Sequence, residues 1–291
     1  MRITNQMQAS FVTRSMQANL ARMAELQEQG TSGRRLVRAS TDPSSAADAL
    51  LVRNQLATEK QYERNIANGE GWLATIDSTL GTVTDIVQRV RDLVIQGASD
   101  TTSADGREAI AVEIDELRTE LLRQSNTTYL GRTVFAGTSD EGVAFRDDYT
   151  FTGTAGATVE RRIGIDSTVQ VDADGAAVFG QGPGSVFALL DTVVADLRTG
   201  TNVGNHLAAV DSRLSAVLTQ HTVAGARQSQ LERATDTNSG NQVSLEARRA
   251  GIEDVDIAEI AIDLQLKQVA YQATLSIGAN ILQPTLMDFL R

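Results

Sequence analysis

The residue types that carry enzyme chemistry are scarce in this chain of 291 residues, and their spacing does not favour catalysis. The two histidines, His206 and His221, are fifteen positions apart. They lack the His-Glu-x-x-His spacing that places two imidazoles on one helix face around zinc. There is no cysteine, which excludes disulfides, thiolate metal sites and cysteine nucleophiles. Because His221 lies among apolar residues at helical spacing, we interpret it as a hydrogen-bonded interior histidine.

Two acidic clusters have residue types that suit calcium binding or acid–base catalysis. The Asp-Ala-Asp-Gly segment that begins at Asp172 resembles part of a calcium loop, but Gln170 occupies the first ligand position, where an acid is required. We interpret the segment as a plain turn. Asp147 and Asp148 are adjacent, and neighbours on an extended segment point to opposite faces, so a solvated surface pair is the simpler interpretation. We expect no catalytic residue, no metal site and no cofactor.

A small basic cluster, Arg34, Arg35 and Arg38, is the feature most like a nucleic-acid contact. The chain has a net charge of −11, and no aromatic residues interleave with these arginines, whereas nucleic-acid binding needs a basic face. The same charge argues against binding to an anionic membrane surface. We therefore predict no nucleic-acid partner, and we interpret the cluster as a surface that pairs with acidic residues of a neighbouring copy.

Length and composition are those of a globular chain rich in helix. One large domain or two to three small ones can bury a sizeable core at this length. Hydrophobic residues make up 41% and aromatic residues 4%, so the apolar content is mainly aliphatic, as in seams between helices. No run of about 18 apolar residues exists, so we predict no membrane insertion. The N-terminal residues lack the apolar core of a signal peptide, so secretion would use a route that keeps them.

Heptad seams dominate two long segments of the chain. Ala46 to about Ile66 is predicted to be helical, and a first seam follows from Leu73 to Val94 with apolar residues at alternating spacings of three and four. A second seam runs from Leu207 to Leu231. At about 1.5 Å per residue these two seams would be roughly 33–38 Å long. A shorter seam contains Ile110, Ile114, Leu117 and Leu121. The pattern predicts a long antiparallel helical bundle.

The period changes between about Leu130 and Gly200, where eleven of the 23 glycines lie. Alternation at period two predicts short strands near 149–152, 163–165 and 169–171. The turn after Asp172 is expected to fold the strand 169–172 onto 176–179 as a hairpin. The predicted fold class is therefore mainly α with an inserted β-rich domain.

The two ends of the chain are helical, amphipathic and oppositely charged. Residues 1–40 contain six arginines against two acids, and residues 250–291 contain two bases against six acids. A basic helix and an acidic helix can pair side by side, so we predict paired terminal helices. The predicted organisation is therefore terminal helices (1–40 with 250–291), a helical bundle (41–130 with 200–249) and an outer β-rich insert (131–199).

The last predicted helix is apolar on two sides. One stripe runs from Ile257 to Leu282 through Leu264 and Tyr271, and a second stripe lies beside it from Ile262 to Ile277. A helix that is apolar on two sides must be buried on two sides. One terminal partner helix covers only one of them, so we predict that neighbouring copies cover the other.

Four passages carry a resemblance to a known family. They are the start (Met1–Asn5), the Gln29–Leu36 segment running into Ser40–Ala46, the Asn126–Thr138 segment, and the end (Ala279–Leu290). In this order, and with helices on both sides of a β insert, they resemble the flagellin superfamily, and within it the proteins of the hook–filament junction. The resemblance covers essentially the whole chain.

The resemblance implies a structural subunit of the bacterial flagellum. It implies copies of the chain that self-assemble into a junction ring through the terminal helices, between hook-associated protein 1 and the flagellin filament. It also implies an extracellular location, reached through the flagellar type III export apparatus with an export chaperone and without a cleaved signal peptide. We expect the assembly contacts to include Ile3, Met7, Phe11, Leu20, Arg34, Arg35, Ile257, Leu264, Tyr271, Leu275, Leu282, Leu286, Phe289 and Leu290.

Other functions stay open at this point. A flagellin filament subunit would share most of these features, and a general coiled-coil scaffold of a secretion system or a phage tail would share the seams. A hydrolase carried by the insert is disfavoured, because no nucleophile–base pair or metal constellation is visible in the sequence.

Overall fold

The structure, a computed structural model, describes residues 5–36, 38–154 and 156–282, and long helices dominate this part of the chain. The helices are α1 (Asn5–Ser32), α2 (Pro43–Gly97), α3 (Ala104–Ser125), α4 (Gly175–Phe179), α5 (Val186–Thr199), α6 (Leu207–Glu253) and α7 (Ile257–Leu282). The strands are β1 (Thr128–Tyr129), β2 (Arg132–Thr133), β3 (Glu160–Arg162) and β4 (Thr168–Gln170). Two short 3-10 helices span Gly182–Gly184 and Val203–His206. The prediction of a mainly α chain, with its strands in an insert, is confirmed.

Helix α2 begins at an Asp-Pro pair, three residues before the predicted helical segment. The Asp42 carboxylate accepts hydrogen bonds from the Ser45 backbone N–H at 3.1 Å and from the Ser44 hydroxyl at 2.7 Å. Hydrogen bonds from Ser45 and then Ser44 lower the pKa of Asp42 to about 2. Pro43 follows as the first helical residue, where its missing N–H has no cost. The cap and the proline together fix this helix start.

The two predicted helical segments of α2 form one helix of 55 residues. Gly69 and Gly71 lie between them without breaking it. Their lack of a side chain has a packing reason: a Cβ at Gly69 would lie 3.1 Å from side-chain atoms of Leu231 and Val171, and one at Gly71 would collide with the hydroxyl of Tyr129. The helix therefore continues because close approach of its neighbours compensates for the low helix propensity of glycine.

The heptad seams form the core as predicted. Every residue of the first seam is buried, and the second seam alternates buried and half-buried residues. Burial of each Leu, Ile or Val contributes about 1.5–3 kcal/mol. Two side-chain contacts show that α2 and α6 run antiparallel: Arg91 Nε lies 2.6 Å from Asp211, and His221 Nε2 lies 2.7 Å from Asp77. The seam residues of α2 are Leu73, Ile76, Leu80, Val83, Val87, Val90 and Val94.

The insert contains two small antiparallel sheets of two strands each. Strands β1 and β2 pair with Tyr129 opposite Arg132, and strands β3 and β4 pair with Arg161 opposite Val169. The insert also contains a cluster of phenylalanines, in which the ring centroid of Phe145 lies 5.6 Å from that of Phe179. These rings belong to the same hydrophobic core as the helical seams. Much of the insert outside these strands is irregular or helical, so its β content is small.

The predicted hairpin after Asp172 is wrong. Strand β4 pairs with β3 instead, and the segment predicted as its partner lies in helix α4. Asp174 explains this outcome, because its carboxylate accepts the Ala176 backbone N–H at 2.9 Å and so caps a helix rather than closing a turn. The strand predicted at 163–165 is a turn, and the segment 149–152 forms only an isolated bridge between Phe145 and Phe151 within the described residues.

The chain divides into two compact units. Unit 1 comprises Met1–Thr58 and Asn241–Arg291, and unit 2 comprises Glu59–Gly240. The helical core lies in unit 2. The three-part division predicted from the sequence stays a prediction. None of the described helices contains an apolar stretch of the length that a membrane span requires.

Candidate assembly interface

The two terminal helices pack against each other in unit 1. Two glycines show that they run antiparallel and fix their register. A Cβ at Gly30 of α1 would lie 3.3 Å from Ile260 of α7, and a Cβ at Gly278 of α7 would lie 3.0 Å from Val12 of α1. The two contacts are 18 residues apart on each helix, from 12 to 30 and from 260 to 278. Each glycine thus admits a branched side chain of the other helix, and the pairing of predicted terminal helices is present.

The seam between α1 and α7 follows a four-three spacing. On α7, Ile260 and Gly278 are buried, and Leu264 and Tyr271 between them are half-buried. The apolar pattern alone does not reveal this register, because the seam also contains polar residues. The less exposed residues of the seam are Val12, Met16, Asn19, Met23, Leu26 and Gly30 on α1, and Ile260, Leu264, Lys267, Tyr271, Thr274 and Gly278 on α7.

The second apolar stripe of α7 faces solvent in the single chain. Each of its large members is 57–61% exposed. A row of large apolar side chains on one helix face is far more than the scattered exposed residues of an ordinary surface, and it marks an interaction site. The exposed stripe consists of Ile262, Leu266, Val269, Ala273 and Ile277.

Several residues predicted to make assembly contacts are also exposed. Met7, Phe11 and Leu20 of α1 lie outside the α1–α7 seam, and so do Ile257 and Leu275 of α7. Their exposure leaves them available to a neighbouring molecule. Ile3, Leu286, Phe289 and Leu290 lie outside the described residues, and Leu282 is the last residue of α7.

Glu253 connects three segments of unit 1, a role that its sequence surroundings do not reveal. Its carboxylate is buried and accepts two hydrogen bonds from Arg53 of α2, at 2.6 and 2.8 Å. Its backbone oxygen accepts the N–H of Arg35 at 2.7 Å. The hydrogen bond from Arg53, reinforced by its charge, lowers the pKa of Glu253. No local pattern could have revealed a pair whose members are 200 positions apart.

The predicted arginine cluster lies at the same junction. The backbone of Arg34 forms an antiparallel bridge with Asp254, and Val255 donates its N–H to the Gly33 carbonyl at 3.4 Å. The side chains of Arg34 and Arg35 are exposed. Arg38 lies 3.4 Å from Glu28 of the same chain. The loop before α2 and the loop before α7 are therefore joined by main-chain hydrogen bonds, while all three cationic side chains are exposed.

The histidines and acidic residues considered for catalysis or metal binding either form hydrogen bonds within the fold or lie exposed on the surface. His221 is hydrogen-bonded to Asp77, as interpreted from the sequence, but its side chain is 32% exposed and not interior; His206 Nε2 lies 2.6 Å from Asp196. Asp147 and Asp148 are exposed. The buried carboxylate of Asp172 accepts the N–H of Val159 at 2.8 Å, and burial raises the pKa of this carboxyl. In residues 5–36, 38–154 and 156–282, no group of three His, Cys, Asp or Glu is arranged to hold a metal.

Comparison with known families gives two matches. The model of the bacterial flagellin N-terminal helical region matches residues 3–140, and that of the bacterial flagellin C-terminal helical region matches residues 207–290. The matched ranges contain all of the terminal helices that the structure describes and both long seams. The unmatched stretch, residues 141–206, contains strands β3 and β4.

Individual relatives agree with the family models. Flagellar hook-associated protein 3 of Salmonella typhimurium is 26% identical over 302 residues, which cover 94% of this chain and 95% of that protein. A flagellin of Halalkalibacterium halodurans is 25% identical over 274 residues, covering 94% and 92%. The solved structure of flagellar hook associated protein-3 from Legionella pneumophila covers 68% of this chain and 97% of its own, with a TM-score of 0.62 at 16% identity. The last likeness concerns the fold.

Proposed function

The chain belongs to the flagellin family, and on that premise we propose that it is the structural subunit that joins the flagellar hook to the filament. Its relatives in this family are flagellar components, and the curated relatives of similar length include hook-associated protein 3. Copies of the chain assemble through the terminal helices into a junction ring. The subunit acts by contact between surfaces and has no catalytic role.

The exposed apolar stripe of α7 carries this proposal. It is 57–61% exposed in the single chain, although α1 already covers the opposite face of the helix. Withdrawing each Ile, Leu or Val from water is worth about 1.5–3 kcal/mol, so a neighbouring copy that covers the stripe gains several such contributions. A helix that is apolar on two sides therefore fits a subunit that is surrounded by its own copies.

The neighbours of the ring are hook-associated protein 1 on one side and flagellin on the other. The subunit reaches them outside the cell through the flagellar type III export apparatus, and an export chaperone shields the apolar face of α7 beforehand. The chain keeps its N-terminal residues during export. These partners follow from the resemblance of the whole chain to junction proteins.

The test of the proposal is assembly of the purified chain on isolated hook fragments, observed by electron microscopy. We expect short caps of limited length. The variant Leu266→Gln with Val269→Gln removes two members of the exposed stripe and should abolish the caps while leaving the melting temperature of the monomer unchanged. Leu218→Gln, at an exposed position on α6, is the matched control and should assemble normally.

Three outcomes contradict this proposal. Indefinite filaments grown by the chain alone favour the filament subunit, which the flagellin relatives keep as the second candidate. Normal caps from the α7 variant show that the stripe is not an assembly surface. A general coiled-coil scaffold would form no ordered structure on hook fragments.

A further inference from the structure

Leu130 occupies a backbone conformation that is costly for its side chain. In the described residues, two residues other than glycine have a positive φ, Leu130 at 50° and Tyr149 at 65°. Side chains with a Cβ are strained there. Packing offsets the strain at Tyr149, whose ring stacks on Phe187 with centroids 5.3 Å apart. Leu130, by contrast, is 77% exposed, the highest value among the large apolar side chains of the described chain.

The turn that contains Leu130 favours a different residue. Leu130 and Gly131, with φ of 50° and 79°, connect β1 to β2 as a two-residue turn. Such turns need a positive φ at both positions and favour Asn-Gly, Asp-Gly or Gly-Gly. Leucine at the first position is therefore unfavourable twice, because it is strained in this turn and because its apolar side chain is exposed to water. Strain at an exposed apolar residue indicates a role in contact with another molecule.

A second hairpin with an exposed apolar tip contacts the same buried tryptophan, Trp72, as the hairpin of Leu130. Tyr129, next to Leu130, packs on the buried Trp72 with ring centroids 5.7 Å apart. Arg161 of β3 lies 6.0 Å from the centre of the same ring. The turn after β3 carries Ile165, which is 71% exposed, and Arg162 donates hydrogen bonds to the carbonyls of Gly164 and Ile165. Both hairpins therefore contact Trp72, and each carries an exposed apolar residue at its turn.

The charge distribution identifies the partner. Residues 1–58 and 241–291 contain eleven bases and eleven acids, so the remaining 15 of 26 bases and 26 of 37 acids give unit 2 the whole net charge of −11. The hairpin segments 128–133 and 160–170 depart from this excess, with three arginines against two acids. Copies side by side in a ring repel each other through unit 2. The electrostatic energy between two copies is most favourable where a segment without net negative charge contacts the acidic surface of the next copy.

We propose that the tips Leu130 and Ile165 dock onto unit 2 of a second copy of this chain, where hairpins without net negative charge meet its acidic residues. Arg132 lies 3.7 Å from Asp140 of its own chain, and this weak, exposed pair leaves the guanidinium accessible to a further carboxylate. Burial in that contact is what compensates for the strain and the exposure at Leu130. The inference rests on the proposed function, because the ring is what brings the second copy alongside.

Leu130→Asn separates stability from assembly. Asparagine tolerates the positive φ that leucine does not, so the melting temperature of the monomer should rise by about 2 °C. Loss of the apolar contact should lower self-association of the purified chain by about tenfold in sedimentation experiments. Leu218→Asn removes the same side chain at a less exposed position on α6, 44% against 77%, and should change self-association little. Equal self-association of Leu130→Asn and the unaltered chain overturns the proposal.

Cross-linking tests the identity of the partner. A photo-reactive amino acid replaces Leu130 in the purified chain. One sample is a concentrated solution of this chain alone, and the other contains the chain together with hook fragments; both are irradiated. Products that join position 130 to unit 2 of another copy support the proposal. It is overturned when the products join position 130 to a hook protein, or when no dimer forms in either sample. If caps form without such dimers, the proposed contact is wrong and the junction function is unaffected. If dimers form without caps, the contact is supported and the junction function is wrong.

Discussion

At the scale of single residues, Glu253 is the polar group that most strongly connects the segments of unit 1. It is only 7% exposed, and a buried carboxylate is stable only when hydrogen bonds replace its hydration. Arg53 supplies two of these bonds and half of the Arg53 side chain stays exposed, which limits the cost of burying the pair. The same residue accepts the Arg35 N–H, so it holds the loop before α2 next to the start of α7.

Replacement of Glu253 by glutamine should loosen this junction in a way that depends on pH. The folded pKa of Glu253 lies below its ordinary value of 4.5. Its contribution is therefore complete above about pH 4.5 and is lost as the pH falls through the folded pKa. At pH 7 we expect Glu253→Gln to cost about 1.5–3 kcal/mol, the value of a hydrogen bond to a charged group. The difference from the unaltered chain should shrink towards acid pH.

Hydrogen exchange of the amides near the junction of α6 and α7 measures this effect, with protection compared at neutral and acid pH. Glu246→Gln is the matched control, because this residue is exposed on the same helix. A loss of protection in Glu253→Gln of the same size at both pH values would show that the ion pair with Arg53 is not its cause.

At the scale of elements, α2 shows how neighbours keep a glycine inside a helix. Gly71 and Gly81 occupy the interior of the same helix, ten residues apart. A Cβ at Gly71 would collide with Tyr129, whereas a Cβ at Gly81 would meet nothing within 4 Å. Gly71 is therefore required by the hairpin that packs on it. Gly81 has no such packing requirement.

The same substitution at these two positions should have opposite effects. Gly81→Ala should raise the free energy of unfolding by about 0.5–1 kcal/mol, because alanine restricts the unfolded chain and favours the helix. Gly71→Ala should lower it by about 1–3 kcal/mol, the usual cost of overpacking. Urea titration of both variants tests this. Tyr129→Phe, which removes the atom nearest to the added methyl, should restore part of the loss. A stabilising Gly71→Ala would mean that the ring moves aside without cost.

At the scale of the whole molecule, charge is divided unequally between the two units. Unit 1 is neutral and contains the terminal helices, and unit 2 carries the net charge of −11. In the proposed assembly, neighbouring copies attract through the apolar surface of α7 and repel through their second units. The balance between the two depends on ionic strength, because salt screens exposed charges and leaves apolar burial unweakened.

The number of caps formed should accordingly increase with ionic strength. Raising the ionic strength from about 0.01 M to about 0.1 M shortens the screening length from about 30 Å to about 10 Å. We expect more caps on hook fragments at the higher value, counted by electron microscopy. Leu266→Gln with Val269→Gln should remain inactive at both. A fall in cap formation with salt would indicate that pairing of opposite charges drives assembly, rather than apolar contact.

The helical seams could be predicted from the sequence because they depend on local geometry. A residue at a three-four spacing lies on one face of a helix whatever surrounds it, so Leu73 to Val94 are buried as predicted. The exposed stripe of α7 followed from the same rule, since one partner helix covers one face. The opposite charges of the two ends also indicated which helices would pair, although the described ion pairs of α1 join Arg22 to Glu25 and Glu28 to Arg38.

Tertiary structure decided what depends on contacts between distant residues. Strands of two or three residues have too little pattern to choose a partner, so the pairing of β3 with β4 was settled by packing on α2 and by the Asp174 cap that made the next segment a helix. The register of α1 and α7 rests on two glycine contacts, and Glu253 finds Arg53 across 200 positions. Such contacts leave no periodic signal, because each is a meeting of two side chains that only the folded chain brings together.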